Sequence, residues 1–218
     1  MNIIMGLFGV FLEGPDSYED LLKKQYGYKK ENIFKTKDYY ELVRGIITFD
    51  EYASRIEEYG MTDMLKEEIK HNMLERFRET DHRLFDLVSK LKVNNKVILY
   101  PETPVEWIDQ IETNTKILDC FDLVIPTYSF ETPKAYHRAY DFVLDRLNVR
   151  PEECLVIDNK RVAISNSKKT GIHKAIEYSH YEDLLFKLDD YSEDLGVRID
   201  NNSEEININL DEGKGLNV

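Results

Sequence analysis

The chain has 218 residues, 42% of them apolar, and a formal net charge of −13 at pH 7. That suits one domain, or a domain with a modest insertion, and supplies enough apolar material for a substantial core. So acidic a balance sets aside nucleic acid, whose binding needs clustered Lys and Arg, and an anionic membrane surface.

Cys120 and Cys154 are too few for a disulfide framework and sit beside apolar runs, as buried thiols do in a reducing compartment. The first apolar run has no basic residues ahead of it and no small-residue cleavage site after it, and it is too short to span a bilayer. The expected location is the cytoplasm.

Five short apolar runs, at 3–12, 96–100, 123–126, 154–157 and 174–178, are continuous rather than alternating. Strands buried on both faces of a parallel sheet read this way. The pattern predicts an α/β fold: a doubly wound parallel sheet of about five strands with right-handed crossovers.

More than eighty residues separate the first run from the second, far beyond one connecting helix. Ser17-Tyr18-Glu19-Asp20 opens a helix with a capping-box pattern, 38–44 forms another, and Thr48-Phe49-Asp50-Glu51 caps a third that runs to 59. A fourth covers 64–77 before the crossover helix at 82–91. These helices predict an inserted α-helical cap subdomain lying over the carboxyl ends of the strands, where open α/β folds bind ligands. Its tyrosines (Tyr26, Tyr28, Tyr39, Tyr40, Tyr52, Tyr59) are read first as packing the cap, with a binding surface as the second reading.

Trp107 stands early in the helix after the second strand, as core or as interface. Further on, Thr132 and Pro133 suit the N-cap and first position of a helix. Its stripe runs Tyr136, Ala139, Tyr140, Val143, Leu144 and Leu147. Near the end, 196–200 and 205–210 alternate apolar with polar around Asn201-Asn202-Ser203, which predicts a hairpin that packs on the domain or pairs with a partner. The expected division is a core of 1–14 and 80–195, a cap of 15–79, and an extension of 196–218 with a flexible end.

Gly6-Leu7-Phe8-Gly9-Val10 at the end of the first run resembles the opening motif, Asp-x-Asp-Gly-Val or Asp-x-Gly-Gly-Val, of the haloacid dehalogenase (HAD) superfamily. Three further stretches are similar to that family. In the cap, 39–52 follows its helix, Gly turn and Thr-capped helix; Leu99-Tyr100-Pro101-Glu102-Thr103-Pro104 matches a strand ending in Ser-Asn-x-Pro. The run 150–173 parallels the fourth motif without a gap. The likeness covers roughly 1–190 and implies a Rossmann-like HAD core with a small helical cap.

In that family one Asp attacks phosphorus, the Asp two residues on protonates the leaving group, and a Ser or Thr and a Lys bind the phosphoryl oxygens. Mg²⁺ is held by the nucleophile and a fourth-motif acid. In register, Gly6 takes the nucleophile position, Phe8 the acid position and Tyr100 the hydroxyl position. Anchoring on Pro133 puts Phe130 at the lysine position. Asp158 remains as the one retained metal-ligand candidate, followed by Asn159 where a second acid often stands. The resemblance thus implies a degenerate pocket (Gly6, Phe8, Tyr100, Phe130, Asp158, Asn159), apolar and partly filled by aromatic rings, with no catalytic residue and no cofactor.

Glu13 and Glu102 are read as surface-loop carboxylates and Lys134 as solvent-facing. Lys160-Arg161 reads as a solvated helix start, or else as a partner of Asp158 or of an anionic ligand. The five histidines have no metal-ligand spacing. The expected function is a HAD-like pseudoenzyme acting by binding to a protein partner or to itself. Two alternatives are a divergent phosphatase- or dehalogenase-like hydrolase with a relocated nucleophile, using Mg²⁺, and a small-ligand sensor.

Overall fold

The computed structural model describes residues 1–15, 24, 33–57, 62–72, 79–200 and 205–208. All five apolar runs form strands: β1 (Asn2–Met5), then, after the inserted helices, β2 (Lys96–Leu99), β3 (Leu123–Val124), β4 (Cys154–Asp158) and β5 (Lys174–Glu177). They make one sheet of order β3-β2-β1-β4-β5, with every neighbouring pair parallel.

Helices cover both faces of the sheet, so the central strands β1, β2 and β4 are buried on both sides, while the edge strands β3 and β5 are partly buried. Ile3 and Met5 of β1, with Val97, Leu99, Leu155 and Ile157, pack in one cluster. Ile4, Ile98 and Val156 point the other way, into a second cluster. The chain runs from β1 outward through β2 and β3, then returns to add β4 and β5 on the other side. The topological switch point therefore lies between β1 and β4, where such sheets leave a crevice.

β1 is shorter than the apolar run that forms it. It ends at Met5, and Gly9, at φ +77°, turns the chain so that the N–H groups of Val10, Phe11 and Leu12 all reach the Leu7 carbonyl. Leu12 then bridges Glu79, and the Thr80 N–H donates to the Phe11 carbonyl at 2.9 Å. The insertion thus leaves and rejoins the core at one place.

Within the insertion lie α1 (Lys37–Val43), α2 (Phe49–Arg55) and α3 (Asp63–Glu67), the last running into a π-helical turn at Glu68–Asn72. Thr48 and Glu51 form the expected capping box on α2. The helix expected over 64–77 is thus an α-turn followed by a π-turn, and its last residues lie outside the described ones. So do the capping box at 17–20, Tyr26, Tyr28, Tyr59, the hairpin turn at 201–203 and the terminal segment. Tyr39 and Tyr52 are buried in the main core cluster, whereas Tyr40 is exposed.

The crossover helices are α4 (Arg83–Leu91), α5 (Val105–Thr115), α6 (Ala139–Leu147) and α7 (Arg161–Lys169). After β5 come α8 (Tyr181–Asp189), α9 (Ser192–Leu195), and an antiparallel pair, β6 (Val197–Asp200) with β7 (Glu205–Ile208). That pair packs on the domain: Val197 is buried, and Asn94 and Asn95 donate to the Gly196 and Leu195 carbonyls. Trp107 belongs to the core, fully buried and edge-on to Phe8.

α6 corrects an expectation. It begins at Ala139, not at Thr132-Pro133, and Thr132 Oγ1 donates to the Phe130 carbonyl instead of capping a helix. The reason is tertiary. The Lys134 N–H donates to Glu102 Oε1, and the Lys134 carbonyl accepts from Asn166 Nδ2, so residue 134 is held on both sides. Tyr136, expected in the buried stripe, is exposed.

The inserted helices are tied to the core through buried polar contacts. Thr127 Oγ1 donates to the Val43 carbonyl at 2.9 Å, with both residues fully buried. Replacing that hydroxyl by a methyl, as in Thr127→Val, strands a buried carbonyl at nearly constant volume. It is expected to cost about 1–3 kcal/mol, read as a lower urea midpoint with an unchanged slope.

Candidate functional site

The site forms where β1, β2 and β4 end. The Gly6 N–H donates to the Ile157 carbonyl at 2.9 Å, which brings position 6 beside the next residue of β4, Asp158. A Cβ on Gly6 would lie 2.6 Å from Asp158 Oδ2 and 3.4 Å from Lys134 Nζ. Glycine is required here by close approach, not by backbone conformation.

Asp158 is buried with its charge. Its Oδ2 accepts from Lys134 Nζ at 2.6 Å, and its Oδ1 accepts from the Lys160 backbone N–H at 2.9 Å. The two side chains of the pair are 4% and 3% exposed for Lys134 and Asp158. Lys134 Nζ also lies 5.0 Å from the centre of the Tyr100 ring.

Glu102 extends the array. One oxygen accepts the Lys134 backbone N–H, and the other accepts from Lys160 Nζ at 2.8 Å. Burial pushes the Glu102 carboxyl up, but the Lys160 ammonium and the bonds it receives from Lys160 and Lys134 outweigh that and hold it below its ordinary value. Lys160 mirrors it: burial pulls the ammonium down, and Glu102 raises it by more. Two carboxylates and two ammonium groups thus alternate at the floor of the crevice.

Several expected placements change. Phe130 is not at the site; it stacks on Phe142 and borders a groove beside β3. Lys134, four residues on, does reach the site, and it is buried instead of facing solvent. Tyr100 does not plug the crevice. It is fully buried on the α6 side of the sheet, beside Tyr140, with its hydroxyl donating to the Ala139 carbonyl. Burial pushes that phenol well above its ordinary range. The pocket floor is therefore charged, where an apolar one was expected. Glu102 is a floor residue with its side chain 9% exposed, not a surface carboxylate. Arg161 pairs with Glu177.

Phe8 and Asn159 line the crevice. Above the floor opens a cleft of about 460 Å³, with Phe8, Pro15, Phe34, Tyr39, Tyr40 and Val162 among its lining residues. Lys35, Glu102, Lys134, Asn159 and Lys160 line it as well. Below, against Asp158, a space of about 10 Å³ holds at most one water. The Asn159 amide packs over Gly9, where a Cβ would collide with it, and its Oδ1 is buried without a partner.

Anchoring the register on Pro133 passes over Lys134 in favour of Phe130. One signal was available: Lys134 is the only lysine between Lys116 and Lys160.

As oxygen donors for a metal, these residues are poor. Gly6 has no side-chain oxygen to give, and both Asp158 oxygens are taken, one of them by an ammonium. Among the described residues no cluster of three or more His, Cys, Asp or Glu is placed to hold a metal ion. None of the described helices is long and apolar enough to cross a membrane.

No family profile matches the sequence, and no curated protein matches it either. Solved structures do. A mutant of a HAD family enzyme from Bacteroides thetaiotaomicron, complexed with magnesium and inorganic phosphate, superposes with a TM-score of 0.68 at 19% identity, covering 82% of this chain and 93% of that one. A predicted HAD-like family hydrolase from Porphyromonas gingivalis gives a TM-score of 0.68 at 18% identity, over 86% and 96% of the two chains. The L-2-haloacid dehalogenase of Xanthobacter autotrophicus, with chloropropionic acid covalently bound, gives 0.57 at 17% identity, over 78% and 74%. The chain has a HAD-like α/β fold.

Two substitutions probe the floor. Lys134→Met leaves Asp158 buried without its counter-charge and is expected to cost about 3–5 kcal/mol in urea unfolding, with Lys134→Met/Asp158→Asn recovering part of the loss. Gly6→Ala forces the Asp158 carboxylate away from Lys134, at an expected cost of about 1–3 kcal/mol. A Gly6→Ala protein as stable as the wild type would mean that the carboxylate moves freely.

Proposed function

We propose that this chain is a catalytically inactive HAD-like protein, cytoplasmic and without a metal cofactor, that acts by binding a protein partner or a second copy of itself. One observation carries the proposal: position 6 has no carboxylate, and the Lys134–Asp158 pair fills the space a side chain there would need. Phosphoryl transfer by an aspartyl route needs a nucleophile and a proton donor beside it. Gly6 and Phe8 supply neither. A magnesium ion held as the family resemblance implies would need an oxygen from residue 6 and a free oxygen on Asp158. The inserted helices act in this reading as a cap that frames the cleft.

A second reading, a divergent hydrolase, draws on the position of Glu102. Its carboxylate reaches the cleft and is held ionised by its lysine partners, as a relocated nucleophile would have to be. Against it, both Glu102 oxygens are already bonded.

One assay separates the two. Purified protein with Mg²⁺ and 4-nitrophenyl phosphate is expected to release phosphate no faster than buffer. Release that disappears in both Asp158→Ala and Glu102→Gln would overturn the inactive reading in favour of the hydrolase.

A further inference from the structure

A movable lid has its connections to the core confined to a hinge, and the bridge between Leu12 and Glu79 is placed to be one. Further contacts grip the inserted helices well away from it. The Thr127 hydroxyl donates to the carbonyl of Val43, the last residue of α1, and Arg44 Nε, one residue on, donates to the Glu131 carbonyl. Both partners come from the segment between β3 and α6. A second attachment is made by α5. The first N–H of α2, on Phe49, is one of the donors that a helix start leaves without an intrahelical partner, and Glu106 Oε1 accepts it at 2.9 Å. Four residues on, and so on the same face of α5, Gln110 Nε2 donates to the Lys70 carbonyl in the π-helical turn at 3.0 Å.

Apolar packing follows the same lines. Val43, Phe49, Tyr52 and Ile69 of the insertion belong to one cluster with Leu7 and Trp107 of the core, and each of the six is at most 1% exposed. Swinging the insertion outward uncovers those side chains and breaks the polar contacts together, and every one of these losses opposes the motion. We infer that the inserted helices are a fixed roof and not a lid: they fold and unfold with the sheet as one cooperative unit, fastened through Thr127, Glu106 and Gln110, and the cleft keeps one shape whether or not it is occupied. Whatever the cleft takes then enters without a closing step. The inference holds for an inactive protein and for a hydrolase alike.

Native-state hydrogen exchange on the full chain tests it, by comparing the amides of α1 and α2 with those of β1, β2 and β4. In the wild type the slowest amides of the two groups are expected to have protection factors within about tenfold of each other, and to lose protection in urea with the same slope. Glu106→Ala/Gln110→Ala is expected to lower the protection of α1 and α2 at least tenfold, with the sheet amides still reporting a folded protein. Two results would overturn the inference. One is wild-type exchange in α1 and α2 more than about tenfold faster than in the sheet, with a shallower urea slope, as a lid opening by itself produces. The other is protection of α1 and α2 that the double variant leaves unchanged.

Discussion

A lysine ammonium and an aspartate carboxylate, 2.6 Å apart and almost wholly out of water, set the terms for the rest of this structure. Bringing two charges into a low-dielectric interior costs several kcal/mol each, recovered only with close geometry and further hydrogen bonds. The surroundings are arranged to supply them. Residue 134 is fixed through its own backbone by Glu102 and Asn166, its ammonium rests over the Tyr100 ring, and the second Asp158 oxygen takes a backbone N–H. The cost appears elsewhere, as six residues of helix not formed ahead of α6 and as a glycine that no other residue can replace without moving the pair.

Placing this pair at the switch point changes what the crevice can do. Open α/β sheets collect ligands there because strand ends diverge and leave room. Here the deepest part of that room is filled by the protein's own opposite charges, so the usable space is displaced upward toward the inserted helices. The result is a floor that is polar yet closed.

The sheet was readable from sequence because its central strands are buried on both faces, which continuous apolar runs fill. The capping box at Thr48 was readable for a different reason: it is local, closed within four residues. What failed was set by contacts distant in sequence. The start of α6 looked favourable at Thr132-Pro133, but Glu102 and Asn166, 32 residues away on either side, claim the Lys134 backbone. The same two contacts hold the Lys134 backbone at the site, where its ammonium meets Asp158, so the helix start and the place of the lysine have one cause. Tyr100 was correctly placed at the end of β2, yet the direction of its ring depended on alternation along the strand, which sent it to the α6 side. The first run misled because a Gly-led turn can be as apolar as a strand.

The bridge between Leu12 and Glu79 joins the two ends of the insertion. Both feet of the insertion stand on hydrogen bonds to each other, so the sheet meets the inserted segment as a single closed loop. The entropy of closing such a loop grows only with the logarithm of its length. Closure therefore sets little limit on the segment's length; the limit comes from the inserted side chains that pack in the main core cluster, Tyr39 and Tyr52 among them, while Phe34, Lys35, Tyr39 and Tyr40 line the cleft. Selection could refit the opening to a new occupant and leave the charged floor as it is.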